Sequence, residues 1–268
     1  MPVSSCLKRY GGKAYLAQKI RSLFPPHTRY CEPYFGSGAV LFTGDGDGVA
    51  EFANDLDREL TNFWMVLRDT PDRMLRKLWA TPLGRWFFEE AAENLKSDDR
   101  LQRATAFFIR NRQSRQGLGK DYCTPTSRLR RGMNEQVSAW LSAVDGLPEF
   151  HQRLRRVEIR CQDALDFIRE LDSPETLFYC DPPYLHETRA SVGEYGGLEM
   201  SAEDHEKLLH YLHRIRGKFV LSGYRSELYD RFAAVAGWRR VDFEIDNKAS
   251  NAKEKPRKIE SLWMNYET

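Results

Sequence analysis

The run Thr176-Leu177-Phe178-Tyr179-Cys180 ends without a break on Asp181-Pro182-Pro183-Tyr184. Five residues with no charge among them leave neither face for water. Such a run predicts a strand covered on both sides, as in a parallel sheet between helices. Two consecutive prolines remove two backbone donors and fix both φ angles, so the strand stops there. Other segments follow the same rule. Tyr30-Cys31 leads into Glu32-Pro33-Tyr34-Phe35-Gly36-Ser37-Gly38, residues 49–53 end at Asn54-Asp55, and residues 157–161 end at Gln162-Asp163. Residues 218–222 precede Gly223-Tyr224, and residues 259–266 read as a last strand. Between them, residues 13–24, 57–69, 164–171 and 201–215 carry apolar side chains at helical spacing, such as Leu208, Leu209, Leu212 and Ile215. Strands alternating with helices predict an α/β fold with a doubly wound sheet.

Residues 71–155 break that rhythm. Their pattern is mainly helical, with a basic, glycine-containing loop, and it predicts a second domain inserted into the first. The expected division is 1–70 with 156–268 for the sheet and 71–155 for the insertion. The chain has 268 residues, 41% hydrophobic and 30% charged, which is enough for a core domain plus a smaller one. A net charge of +2 is close to neutral, so whole-chain charge says nothing about a polyanion partner and only its local distribution could. No run approaches the roughly 18 apolar residues of a membrane span, and residues 1–9 lack the apolar core of a signal peptide. The five cysteines have no close pair and suit reduced thiols better than a zinc site or disulfides. A cytoplasmic protein without a metal is expected.

Ligands of open α/β sheets bind beyond the carboxyl ends of the strands, and four such ends here are polar or glycine-rich. Gly36 and Gly38 allow a tight turn and a close backbone approach. They complete neither the dinucleotide fingerprint nor the phosphate loop, so a nucleotide-like ligand without a demanding phosphate fits better. Asp55, 17 residues past Gly38, could accept ribose hydroxyls, or Asn54 or Asp55 could cap a helix. Asp163 could bond an adenine amine, or it too could cap a helix.

Asp181-Pro182-Pro183-Tyr184 speaks most clearly. An aspartate beside a rigid carbonyl offers two acceptors to one NH2 group, and Tyr184 offers a flat face to a base. An amine held by two acceptors directs its lone pair away from the ring, where it can attack a methyl group in line. Residues 110–131 hold Arg110, Arg112, Arg115, Lys120, Arg128, Arg130 and Arg131 against the single acid Asp121, interleaved with Asn111, Gln113, Ser114 and Gln116. These residue types read base edges and neutralise phosphates. A second basic stretch includes Lys248, Lys253, Lys255, Arg257 and Lys258. Segment 185–200, with Gly193, Gly196 and Gly197, is either a cover for a base or a simple surface loop.

Together these residues resemble the Dam-type (D12 class, alpha group) DNA adenine N6-methyltransferases. The resemblance runs from Arg9-Tyr10-Gly11-Gly12-Lys13 through the glycine motif, Asn54-Asp55 and Gln162-Asp163 to Asp181-Pro182-Pro183-Tyr184. Ser222-Gly223-Tyr224 and Glu260-Ser261-Leu262-Trp263 look like late family segments. The family often has an aromatic residue four positions before the motif lysine, where this chain has Arg9. The resemblance implies a Rossmann-like class I sheet that binds S-adenosylmethionine, with an inserted, mainly helical target-recognition domain. The donor would lie against Arg9, Tyr10, Lys13, Glu32, Phe35, Gly36, Gly38, Asp55, Asp163 and Asp181. Asp181 and the Pro182 carbonyl would hold the amine of an adenine flipped out of duplex DNA, with Tyr184 stacked on it. Transfer would be direct, with no covalent enzyme intermediate and no metal. The protein would act as a monomer or a dimer on DNA. RNA, the cytosine amine or protein glutamine as substrate, and a silent nucleic-acid-binding fold, are the competing readings.

Overall fold

The computed structural model describes residues 5–8, 12–124, 126–188, 196–245 and 258–267. Its main strands are β1 (Arg29–Glu32), β2 (Ala50–Asn54), β5 (Val157–Arg160), β6 (Thr176–Cys180), β7 (Lys218–Gly223), β8 (Arg239–Ile245) and β9 (Lys258–Met264). They form a seven-stranded sheet in the order β5-β2-β1-β6-β7-β9-β8. The pairs β2–β5, β1–β6 and β6–β7 are parallel, and β9 runs antiparallel to β7 and β8. This is the doubly wound α/β sheet that the alternating pattern predicts. A separate two-stranded ribbon joins β3 (Leu129–Arg130) to β4 (Met133–Asn134). The helices are α1 (Ala17–Arg21), α2 (Arg58–Asp69), α3 (Pro71–Trp79), α4 (Arg85–Asn94), α5 (Arg100–Arg112), α6 (Glu135–Asp145), α7 (Leu147–Leu154), α8 (Ala164–Leu171), α9 (Ala202–Leu212) and α10 (Glu227–Ala236).

The chain gathers into two compact units, Met1–Ser22 with Phe35–Cys161, and Leu23–Tyr34 with Gln162–Thr268. In the first unit α2 is the central helix. Its Phe63 stacks on Phe108 of α5 with ring centres 5.5 Å apart, and Phe108 meets Trp140 of α6 at 5.6 Å. Phe42 stands edge-on to Phe150 of α7 at 4.8 Å. Each such ring contributes roughly 1.5–3 kcal/mol by leaving water, so this aromatic seam is what fixes α2 against its neighbours. In the second unit all five residues of β6 are buried, as are Phe219, Val220, Leu221 and Ser222 of β7 and Glu260 to Met264 of β9. The carboxylate of Glu260 is the one charged group in that last buried row.

Residues 227–245 form elements that the sequence pattern does not announce. Helix α10 ends at Gly237 in the left-handed conformation, φ +68°. Strand β8 is an edge strand with one half-buried row, including Val241 and Phe243, and an exposed row of Arg240, Asp242 and Glu244. A charged outer row keeps such an edge from pairing with another chain. The cap of α2 also differs from expectation. Neither Asn54 nor Asp55 supplies it; Asp57 Oδ1 accepts from Glu59 N and Leu60 N, both at 3.1 Å. The helix starts later than a cap at Asn54 or Asp55 requires, because Asp55 is committed elsewhere. Replacing Asp57 with Ala should lower stability by about 1 kcal/mol, seen as a shifted urea midpoint with an unchanged slope.

Candidate active site

In the first unit, the chain after β1 makes a turn that favours glycine. Phe35 N donates to Asn54 O and Gly38 N donates to Phe35 O, both at 2.8 Å. Gly36 and Gly38 both have positive φ, +53° and +65°, yet their surroundings differ. A Cβ on Gly38 would stand 2.6 Å from Phe35 Cζ and closer still to Phe42 Cε2, so this glycine exists to let two rings close over it. A Cβ on Gly36 would meet nothing within 4 Å. That position faces open space. Its N–H is held by Asp55 Oδ2 at 2.8 Å and its carbonyl by Trp64 Nε1–H at 3.0 Å. Asp55 Oδ1 accepts from Asp57 N at 3.0 Å, which fixes the carboxylate plane. Lys13 is buried in the same unit at 4% exposure.

In the second unit, Asp181 leaves β6 half-buried and Pro182 is buried. The Tyr184 ring is 8% exposed and stands edge-on to Tyr224 with ring centres 4.8 Å apart. Its hydroxyl lies 3.1 Å from Asp181 Oδ1, 3.4 Å from Ser222 Oγ, and against Glu260 Oε1. Ser222 Oγ–H donates to the same Glu260 oxygen at 2.8 Å. Glu32, 2% exposed, accepts from the Tyr30 hydroxyl at 2.7 Å. Burial, with Asp181 and Glu260 nearby, pushes the Tyr184 phenol far above its ordinary pKa, and burial likewise raises Tyr179 and the Cys180 thiol. These groups stay protonated, and the Tyr184 hydroxyl has a hydrogen to donate. Asp163 Oδ1 caps α8, accepting from Leu165 N at 2.8 Å and Asp166 N at 3.2 Å.

The basic residues of 110–131 divide into two groups. Arg110 lies 3.8 Å from the Phe88 ring centre and donates to Phe88 O and Gly119 O. Arg112 donates to Ala139 O at 3.1 Å. Both sit on α5 and serve the protein's own carbonyls. Asn111 and Gln113 are likewise buried, Asn111 bridging Lys8 and Gly117 and Gln113 bridging Gly84 and Pro82. By contrast Arg115, Lys120, Arg128, Arg130 and Arg131 are exposed. Arg115 and Lys120 flank a loop closed by the Ser114–Tyr122 bridge. Arg130 and Arg131 sit on the β3–β4 ribbon, whose turn has positive φ at Arg131 and Gly132. Arg9, Tyr10, Lys248, Lys253, Lys255 and Arg257 lie outside the described residues, as do 189–195 of the segment after the tetrapeptide. No group of His, Cys, Asp and Glu among the described residues could hold a metal, and no helix there is long and apolar enough to cross a membrane.

Ser222 and Glu260 receive no role from the sequence alone. The available signal was a lone carboxylate in the strand Ile259-Glu260-Ser261-Leu262-Trp263-Met264.

Residues 10–243 match the family described as D12 class N6 adenine-specific DNA methyltransferase. The chain belongs to that family. A DNA adenine methylase of Serratia marcescens is 25% identical, over 83% of this chain and 84% of its own. A DNA N-6-adenine-methyltransferase of Escherichia phage P1 is 29% identical, over 81% of this chain and 29% of its own. The type II methyltransferase M.MjaIII of Methanocaldococcus jannaschii is 24% identical, over 99% of this chain and 100% of its own. A DNA adenine methyltransferase needs a methyl donor and DNA. For the methyltransferase, Gly38→Ala should cost about 2 kcal/mol or more, since it adds both left-handed strain and a clash with two rings. Gly36→Ala should cost only about 1 kcal/mol. Denaturant unfolding of the two variants checks the contrast.

Proposed function

We propose that this methyltransferase moves a methyl group from S-adenosylmethionine to the N6 amine of an adenine flipped out of duplex DNA. The observation that carries the reading is Asp181-Pro182-Pro183-Tyr184 standing at the carboxyl end of a wholly buried strand. The residues at the glycine turn fit the donor: Gly36 leaves open space, and Asp55 stands at its edge with a fixed carboxylate. Asp55 would take the ribose hydroxyls, Phe35, Gly36 and Gly38 would frame the turn beside the donor, and Lys13 and Glu32 would serve its charged groups. Asp163, whose Oδ1 caps α8, would offer its other oxygen to the donor's adenine amine. By the family resemblance, Arg9 and Tyr10 would also contribute to donor binding. Bound there, S-adenosylmethionine supplies a methyl group on a sulfonium that is its own leaving group.

The chain's own part is alignment. Asp181 and the Pro182 carbonyl would accept the two hydrogens of the target amine and turn its lone pair out of the ring plane. Their attraction grows as the nitrogen becomes positive, so they favour the transition state over the ground state. Pro183 holds that carbonyl still, and Tyr184 would offer its ring to the extruded base. Residues 1–70 and 156–268 would form the catalytic domain and 71–155 the target-recognition domain, in a cytoplasmic enzyme.

Asp181→Ala should lower turnover of labelled methyl into DNA at least about 10³-fold while the unfolding midpoint stays put. A folded and active Asp181→Ala protein would sink the assignment. The two classes of arginine give a further contrast. Alanine at Arg128, Arg130 and Arg131 should weaken DNA binding across sequences and flatten the plot of log K against log salt, by about 0.9 for each phosphate that is no longer neutralised. Arg110→Ala should leave that slope unchanged and lower the unfolding midpoint instead, because Arg110 already serves Phe88 and Gly119.

A further inference from the structure

We propose that Glu260 is a positioning residue for methyl transfer: by drawing the Tyr184 hydroxyl hydrogen to itself, it keeps that hydrogen off Asp181 Oδ1 and leaves the Asp181 carboxylate its charge for the target amine. The proposal rests on the assignment of Asp181 to that amine.

The geometry is a competition for one hydrogen. The Tyr184 hydroxyl has a single hydrogen, and among the described residues three acceptors lie in reach, Asp181 Oδ1 at 3.1 Å, Ser222 Oγ at 3.4 Å and Glu260 Oε1 nearest of all. Ser222 directs its own hydrogen to Glu260 at 2.8 Å, so Oε1 gathers both hydroxyls. Tyr184 remains a phenol because burial raises its pKa, so it has a hydrogen to give. Given to Asp181, that hydrogen would draw on the carboxylate's charge and weaken its pull on the amine as the nitrogen turns positive. Hydrogen bonds to ionised acceptors are about twice as strong as neutral ones. A carboxylate at 260, already the nearest acceptor, therefore holds the phenol against Asp181 more firmly than a neutral amide would.

The position of Glu260 in the core supports a task of this kind. It is 1% exposed in a strand where Leu262, Trp263 and Met264 are buried and apolar. Desolvating a carboxylate there is costly unless it is hydrogen-bonded. A strand that served the fold alone would do better with another apolar residue. The sequence separates Glu260 from Tyr184 by 76 positions, and the antiparallel pairing of β9 with β7 sets Ser222 opposite Leu262. The pairing thus delivers the carboxylate to the tetrapeptide.

The test is a double-mutant cycle in the full-length enzyme with S-adenosylmethionine and duplex DNA, reading kcat and KM separately. Glu260→Gln keeps the shape and an acceptor oxygen but removes the charge. In the wild-type background it should lower kcat about tenfold, with KM for DNA within about twofold. In the Tyr184→Phe background there is no phenol hydrogen to misdirect, so the same change should lower kcat less than about twofold. A purely structural role cannot produce that dependence on one hydroxyl. Equal losses in both backgrounds, or a loss that appears in KM alone, would overturn the proposal. Should Glu260→Gln not fold, Glu260→Asp retracts the oxygen by one methylene and is read in the same two backgrounds, with the same expectation. An active Asp181→Ala enzyme would refute the assignment of Asp181 instead, so the two failures are distinct.

Discussion

Keeping a carboxylate at the mouth of a buried strand is the constraint on which the second unit depends. A carboxylate loses free energy when it leaves water, and recovers it only through hydrogen bonds and charge. Strand β6 is covered along its whole length, and Asp181 is the first residue beyond it. What keeps this arrangement useful is a set of phenols, Tyr30, Tyr179 and Tyr184, in the same unit as the carboxylates Glu32, Asp181 and Glu260. Burial raises the Tyr179 and Tyr184 phenols, so they cannot become competing anions. The same burial makes each hydrogen bond in the cluster matter more than it would in water. On the proposed assignment of Asp181, the placement of a single hydroxyl hydrogen then bears on the reaction.

The glycine turn solves a different problem in the other unit. On the proposed reading, backbone must come close to the methyl donor while aromatic side chains seal the core behind it. The two glycines divide this work. Gly38 yields to the rings of Phe35 and Phe42, and Gly36 faces open space with its N–H held by Asp55. Asp55 can stiffen the turn because Asp57, not Asp55, caps α2. Two acids two residues apart thus carry separate duties, one toward the turn and one toward the helix.

Much of this was legible in the sequence, for a physical reason. Strands buried on both faces must be apolar, and where they stop, prolines, glycines and acids mark the edge at which ligands bind. The runs 157–160, 164–171 and 176–180 therefore match their predicted limits within about a residue. Caps were less legible, because Asn54, Asp55 and Asp57 are all competent and only the local path of the chain selects one. Partners distant in sequence were not legible at all. Nothing near Arg110 announces that it will lie on Phe88, and nothing near Glu260 names Tyr184. The basic stretch 110–131 consequently looked uniform, although helix α5 turns two of its arginines toward protein carbonyls while the loop and ribbon expose the rest. Strand β8 escaped notice because an edge strand dilutes its apolar row with charge.

Everything assigned to the tetrapeptide turns on which atom receives the methyl group. Unmethylated plasmid DNA incubated with the wild-type enzyme and isotopically labelled S-adenosylmethionine, then digested to nucleosides and resolved by mass spectrometry, identifies that atom directly. Label should appear in N6-methyldeoxyadenosine. Label confined to N4-methyldeoxycytidine, or label reaching RNA supplied in parallel but not DNA, would refute the adenine amine as the acceptor.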